Sequence, residues 1–265
     1  MTSLTWDPAA YAVFGGHRSR PFFDLTGRIG AASPRRVVDL GCGTGELTAA
    51  LAERWPQAEV HGVDSSEPML AAARAGFGRR GRLHFTLGDI RQWEPQEDVD
   101  VVVSNAALQW IPGHLGLMGR WLDQLAPGAW LGVQVPGNFG AKSHVLMREL
   151  AESSQWRDRL HGVLRHADAV AEPQHYLELL LEAGWEADVW ETTYLHVLAG
   201  EDAVLRWVRG TGLRPVLDVL DAEQGRQFEE QYNQLLLDAY PPVERDGGTA
   251  TVYPFRRLFC VGRKR

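Results

Sequence analysis

Short β-branched and aliphatic runs alternate with helical periodicity through the first half of the chain. Runs at 37–40, 59–63, 83–87, 99–104 and 130–135 predict strands. Between them, apolar residues spaced three and four apart predict helices at 46–55, 68–75 and 114–125. Pro56 closes the first, and Asp64, Ser65 and Ser66 offer capping groups ahead of Pro68 in the second. Strands alternating with helices imply βαβ units with right-handed crossovers, hence an α/β fold on a mostly parallel sheet. Beyond this the pattern is helical at 138–184 and 201–240, with strand candidates at 187–197 and 255–262. The expected architecture is a single domain over 1–265, with a seven-stranded sheet flanked by helices. Its core is about 30–137 plus the two late strands. The two helical stretches are then cap insertions over the carboxyl edge of the sheet, where open α/β sheets bind ligands. Residues 8–29, with Tyr11, Phe14, Phe22 and Phe23, predict a lid helix before the first strand.

Composition narrows the function. Lys and Arg number 27 against 34 Asp and Glu, a net charge of −7 with no basic run. That disfavours nucleic-acid and membrane-surface partners, whose binding rests on a basic footprint. An anionic substrate must instead meet a few arginines and histidines gathered locally. The two cysteines, Cys42 and Cys260, are too few for a disulfide framework or a multi-cysteine zinc site, and are read as packing residues. The start lacks a basic segment followed by an apolar run, and no apolar stretch reaches the ~18 residues of a membrane span. The expectation is a cytoplasmic monomer.

The chemistry concentrates at Val37-Val38-Asp39-Leu40-Gly41-Cys42-Gly43-Thr44-Gly45, three glycines on alternate positions between a strand and a helix. Glycine admits positive φ and lets a ligand approach the backbone. The dinucleotide spacing needs a third glycine where Glu46 stands, and a P-loop needs a Gly-Lys-Ser/Thr that is absent. Asp39, Asp64 and Asp89 lie at the ends of three consecutive strands. Three carboxylates repel a pyrophosphate but suit a ligand with an ammonium, a sulfonium, a ribose diol and an exocyclic amine, which is S-adenosylmethionine. A turn that merely needs its glycines, or a nicotinamide or flavin site, are the competing readings.

This arrangement resembles the Rossmann-like class I S-adenosylmethionine-dependent methyltransferases. The resemblance implies Asp39 near the methionine ammonium, Gly41, Gly43 and Gly45 beneath the amino-acid tail, Asp64 on the ribose and Asp89 near the adenine amine. Asn105 would hold the amino-acid portion, and Ser65, Met69 and Ile90 complete the implied donor set. After the fourth strand stands Ser104-Asn105-Ala106-Ala107-Leu108-Gln109-Trp110, not the Asn-Pro-Pro-Tyr or Asp-Pro-Pro-Tyr of amine methyltransferases, and no Pro-Cys nucleophile occurs. No further carboxylate cluster suggests a catalytic metal.

Several more strings resemble the trans-aconitate 2-methyltransferase family over nearly the whole chain. They are Trp6-Asp7-Pro8, Asn105 to Trp110, His144-Val145-Leu146-Met147-Arg148-Glu149 and Thr211-Gly212-Leu213-Arg214-Pro215. Segment 241–251 departs from the pattern and reads as an idiosyncratic loop. The family implies transfer of a methyl group to one carboxylate of a small polycarboxylate, leaving S-adenosylhomocysteine. A carboxylate is ionised at pH 7, with an ordinary pKa near ~4, so the attack needs no general base. Positioning and water exclusion are the requirements. The candidate grips are Arg214, Arg148, Arg257 and Arg18, since arginine forks onto carboxylates, with His144, Tyr194, Gln109 and Trp110 shaping the site. A different small-molecule acceptor and a noncatalytic donor-binding module remain as alternatives.

Overall fold

Each apolar run predicted in the first half of the chain is a strand in the computed structural model, which describes residues 15–78, 81–165, 169–245 and 247–265 and, at 15–18, the backbone. The elements run α1 (Gly15–Thr26), β1 (Arg36–Leu40), α2 (Glu46–Arg54), β2 (Glu59–Asp64), α3 (Glu67–Phe77), β3 (Leu83–Leu87), β4 (Val99–Asn105), α4 (His114–Gln124) and β5 (Trp130–Pro136). There follow α5 (Lys142–Ala151), α6 (Arg157–Leu160), α7 (Pro173–Glu182), β6 (Trp185–Ala199), α8 (Ala203–Arg209), α9 (Arg214–Leu217), α10 (Ala222–Ala239), β7 (Val243–Arg245) and β8 (Gly248–Lys264).

The strand order is β3-β2-β1-β4-β5-β8-β6, with β7 pairing onto β8. Strands β1 to β5 pair in parallel, and β8 runs antiparallel to β5. The chain builds outward from β1 to β3, then returns to place β4 and β5 on the other side. The switch point therefore lies between β1 and β4, where the carboxyl ends open a crevice. These central strands are buried on both faces, which is why they read as continuous apolar runs: Val37, Leu40, Val101, Val102 and Val103 are fully covered.

The chain forms two compact units. One holds the described residues of Trp6–Pro136 together with Val170–Thr192 and Arg257–Arg265; the other holds Gly137–Ala169 and Thr193–Arg256. The first unit is the parallel sheet with its helices. Its packing includes Leu25 of α1 and Ile29, just beyond that helix, against Gly132 of β5, and Trp185, whose indole N–H donates to the Leu122 carbonyl at 3.3 Å. The second unit is organised around aromatic rings. Trp156 meets Phe228 edge-on at 5.5 Å, and His196 packs on Trp207 at 4.7 Å.

Two expectations differ from what is observed, and a third falls partly outside the described residues. The sheet has eight strands rather than seven, because within 241–251 Val243–Arg245 forms β7 and pairs with the start of β8, from Val243↔Ala250 to Arg245↔Gly248. The helical stretch 138–184 divides, since α7 belongs to the sheet-bearing unit, where Tyr176 stacks on His114 of α4 and their Oη and Nε2 atoms stand 2.5 Å apart. The lid helix is described from Gly15; its part over 8–14 lies outside the described residues. Among the described residues, no helix is long and apolar enough to cross a membrane.

Candidate active site

The glycine loop leaves β1 at the switch point. Gly41 has φ +87°, and a Cβ there would stand 2.4 Å from the Ala107 Cβ, so the loop's approach to the segment after β4 admits no side chain. The Gly41 amide donates to the Val63 carbonyl at 2.8 Å. Asp64, at the tip of β2, accepts the Gly43 amide on one oxygen and the Ser66 amide on the other, both at 2.9 Å. One carboxylate thus ties the β1 loop to the start of α3. Its remaining lone pairs are available to a ligand diol, while burial pushes its pKa up against the pull of those amides.

Asp39 is 2% exposed and accepts the Thr48 hydroxyl of α2 at 2.7 Å. Burial pushes its carboxyl up to about 7, with the Asp64 charge adding to the effect and Thr48 opposing it. Neutral forms are favoured in such a setting until a cation arrives. Asp89 differs. It caps the turn after β3 through the Arg91 amide at 2.9 Å, and the Arg91 guanidinium grips it from Nε at 2.9 Å. That hydrogen bond and charge hold its pKa below the usual carboxylate range. Of the other implied donor residues, Met69 is buried, Ile90 half-buried and Ser65 exposed.

In the segment after β4, two side-chain oxygens lack partners. The buried Oδ1 of Asn105 and the buried Oε1 of Gln109 meet no hydrogen-bond donor among the described residues. The Gln109 amide nitrogen is held by the Ala106 carbonyl at 2.7 Å, which keeps its oxygen aimed elsewhere. Ala106 takes a positive φ of 55°, an uncommon conformation for a residue with a Cβ. Buried acceptors without donors cost free energy unless a ligand supplies them. A glycine cradle, two strand-tip carboxylates and two waiting acceptors fit the ammonium, hydroxyls and amine of S-adenosylmethionine.

The acceptor-side candidates divide between the units. Arg257 pairs with Pro136 across β8 and β5, at the carboxyl edge that also carries Asp64 and Asn105. It is 4% exposed and donates from Nη1 to the Gln134 Oε1 at 3.0 Å. A surface charge at a strand edge is thereby ruled out. Gln134 was not among the candidates; its signal was a lone polar residue facing inward in Trp130-Leu131-Gly132-Val133-Gln134-Val135. Trp110 is half-buried, and Arg18 lies on α1 with its side chain outside the described residues.

In the other unit, α5 carries His144 and Arg148. His144 Nε2 approaches Gly212, just ahead of Arg214, to 3.2 Å of where a Cβ would lie. Burial and the Arg148 charge lower its pKa to about 4, so the ring is neutral at physiological pH. Three tyrosines secure this helix start. Tyr232 donates to the Ser143 carbonyl at 2.8 Å, the Ser143 amide donates to Tyr240 Oη at 3.1 Å, and the Ser143 and Tyr253 hydroxyls pair at 3.0 Å. Arg148 reaches the Arg165 carbonyl at 3.5 Å, and Arg214 faces Asp218 at 3.7 Å. Tyr194 is 3% exposed and stacks on His196, which makes its ring part of the core.

Comparison with known proteins gives three kinds of match. The methyltransferase domain family matches residues 37–128. The chain is 54% identical to a trans-aconitate 2-methyltransferase of Streptomyces coelicolor over 99% of this chain and 88% of that protein. It is 50% identical to one of Mycobacterium tuberculosis over 97% and 95%. Among solved structures, phosphoethanolamine N-methyltransferase 2 of Haemonchus contortus with S-adenosyl-L-methionine matches at a TM-score of 0.58 and 17% identity, over 97% of this chain and 56% of that enzyme. The chain thus spans little more than half of that enzyme's length. The YcgJ protein of Bacillus subtilis matches at a TM-score of 0.58 and 13% identity, over 92% and 97%. At such identities these structures speak for the fold alone, a class I methyltransferase fold.

Proposed function

The chain belongs to the trans-aconitate 2-methyltransferase family, and from that premise we propose that it moves a methyl group from S-adenosylmethionine to one carboxylate of trans-aconitate. The products are a monomethyl ester and S-adenosylhomocysteine. One observation carries the reading: a glycine loop tied to the Asp64 carboxylate stands beside the unpartnered acceptors of Asn105 and Gln109. A net charge of −7 speaks against nucleic-acid and anionic-membrane partners, and two free, buried cysteines fit the reducing cytoplasm.

S-adenosylmethionine supplies a methyl group made electrophilic by its sulfonium. The chain's own residues do the positioning. Asp39 and Asp64 take the ammonium and ribose ends, Asn105 accepts from the amino-acid portion, and Asp89, paired with Arg91, stays near the adenine amine. Arg257, buried at the same sheet edge, grips the acid and leaves one carboxylate for attack. In the other unit, Arg148, Arg214 and neutral His144 are the candidate groups for an anionic ligand. No general base is needed, because the attacking oxygen is already ionised. The rate enhancement then comes from alignment and water exclusion.

The test is an acceptor panel with methyl-labelled donor. Trans-aconitate is expected to give a higher kcat/KM than cis-aconitate, isocitrate or citrate. Tight donor binding without transfer to any acid overturns the proposal.

A further inference from the structure

At the far side of the sheet from the glycine loop, β2 and β3 bring three metal-ligating side chains together. His61 and His84 are direct partners in the parallel pairing, and their rings lie 4.8 Å apart. Glu59 precedes His61 by two residues and so shares its face of the pleat. Its Oε2 stands 3.0 Å from His84 Nε2. One ligand atom from each residue lies within 4.8 Å of those of the other two. Asp64 projects from the opposite face and lies three residues further along β2, roughly 10 Å away. This cluster is therefore separate from the donor crevice.

We propose that Glu59, His61 and His84 form a binding site for a borderline-soft divalent cation of the zinc class, unconnected with methyl transfer. Two imidazoles and a carboxylate with a position open to solvent are a donor set that zinc accepts, and one that magnesium and calcium, which prefer all-oxygen shells, do not favour. Tetrahedral zinc with bonds near 2.1 Å needs its ligands about 3.4 Å apart. The closure required is small for side chains that are half-buried or exposed. Strand pairing has already fixed the three Cα positions, so little chain entropy opposes it. The charged neighbours are Arg82, 3.4 Å from Glu59, and Arg36, which pairs with Asp98 at 3.0 Å. A bound cation displaces Arg82 from Glu59. Arg36 remains neutralised by Asp98 and is tolerated.

The experiment is titration calorimetry of the tag-free full chain with zinc chloride at pH 7.5, followed by thermal unfolding. The expected result is one zinc per chain with micromolar affinity, and a midpoint raised by roughly 5 °C at a hundredfold excess over Kd. His84→Ala and His61→Ala should each weaken binding more than about tenfold and abolish the midpoint shift. His175→Ala, an exposed histidine elsewhere, should change neither. The two variants fold by the same thermal criterion without zinc, because their side chains are not core. Absence of saturable binding in the parent chain, or equal binding in all variants, overturns the proposal.

Discussion

Gly43 gives its backbone N–H to the Asp64 carboxylate at 2.9 Å, while the other oxygen holds the Ser66 amide at the same distance. The tip of β2 thus fixes the loop at the tip of β1. Asp64→Asn presents only one acceptor oxygen, so one of the two amides loses its partner. The expected cost is about 1–2 kcal/mol of stability, together with weaker S-adenosylhomocysteine binding. Asp89→Ala removes the partly exposed bridge to Arg91 together with the cap on the Arg91 amide, and should cost about 0.5–1 kcal/mol, less than Asp64→Asn. Thermal unfolding and calorimetry of both variants check this. Equal stability for Asp64→Asn and the parent chain contradicts the bridging role.

Asp39 carries a pH prediction. Its carboxyl is pushed up to about 7 by burial, above its unfolded value of 3.8. The folded chain therefore keeps a proton between those values that the unfolded chain releases. This group's favourable contribution is full below the unfolded value and is lost as pH rises through about 7. A cationic donor prefers the ionised form, so donor affinity should rise from pH 6 to pH 8, roughly, and then level off. Asp39→Asn should flatten that rise. An identical pH profile in the variant speaks against Asp39 as the titrating group.

Gly41→Ala tests the cradle. The added methyl meets the Ala107 Cβ at 2.4 Å and is forced onto a φ of +87°. Strain of this kind costs on the order of 1–3 kcal/mol. The expected variant has a lowered Tm and weakened donor binding, measured by scanning fluorimetry with and without S-adenosylhomocysteine. Unchanged donor affinity means that the loop does not seat the ligand.

The sequence made the parallel core legible because strands buried on both faces are written as continuous apolar runs, and their ends agree with the structure to within a residue or two. The glycine loop and its acids were equally visible. What pairing decides was not visible. The opposition of His61 and His84 exists only once β2 and β3 are in register, and Pro241, Pro242, Gly247 and Gly248 concealed a hairpin by reading as loop punctuation. Helix α7 had the same amphipathic pattern as its cap neighbours; its contacts, Tyr176 with His114, Leu179 beside Gly119 and Leu180 beside Gly262, assign it to the sheet-bearing unit. Likewise nothing in the spacing of Arg257 told of its burial against Gln134.

Arg257 tests the acceptor grip. Arg257→Met keeps the apolar stem and removes the guanidinium, and loss of a buried cation need not destabilise the fold. KM for trans-aconitate is expected to rise by at least about tenfold with donor Kd unchanged. Arg214→Ala should have a smaller effect, since that guanidinium already faces Asp218. Equal damage to donor and acid binding in Arg257→Met assigns this residue to structure instead.

The most direct measurement follows the label. With donor labelled in the methyl carbon and trans-aconitate as acceptor, the label should appear in a monoester, one per S-adenosylhomocysteine formed, and leave as methanol on mild alkaline treatment. Label held in an alkali-stable product, or donor consumed without any labelled acid, would contradict carboxyl methylation.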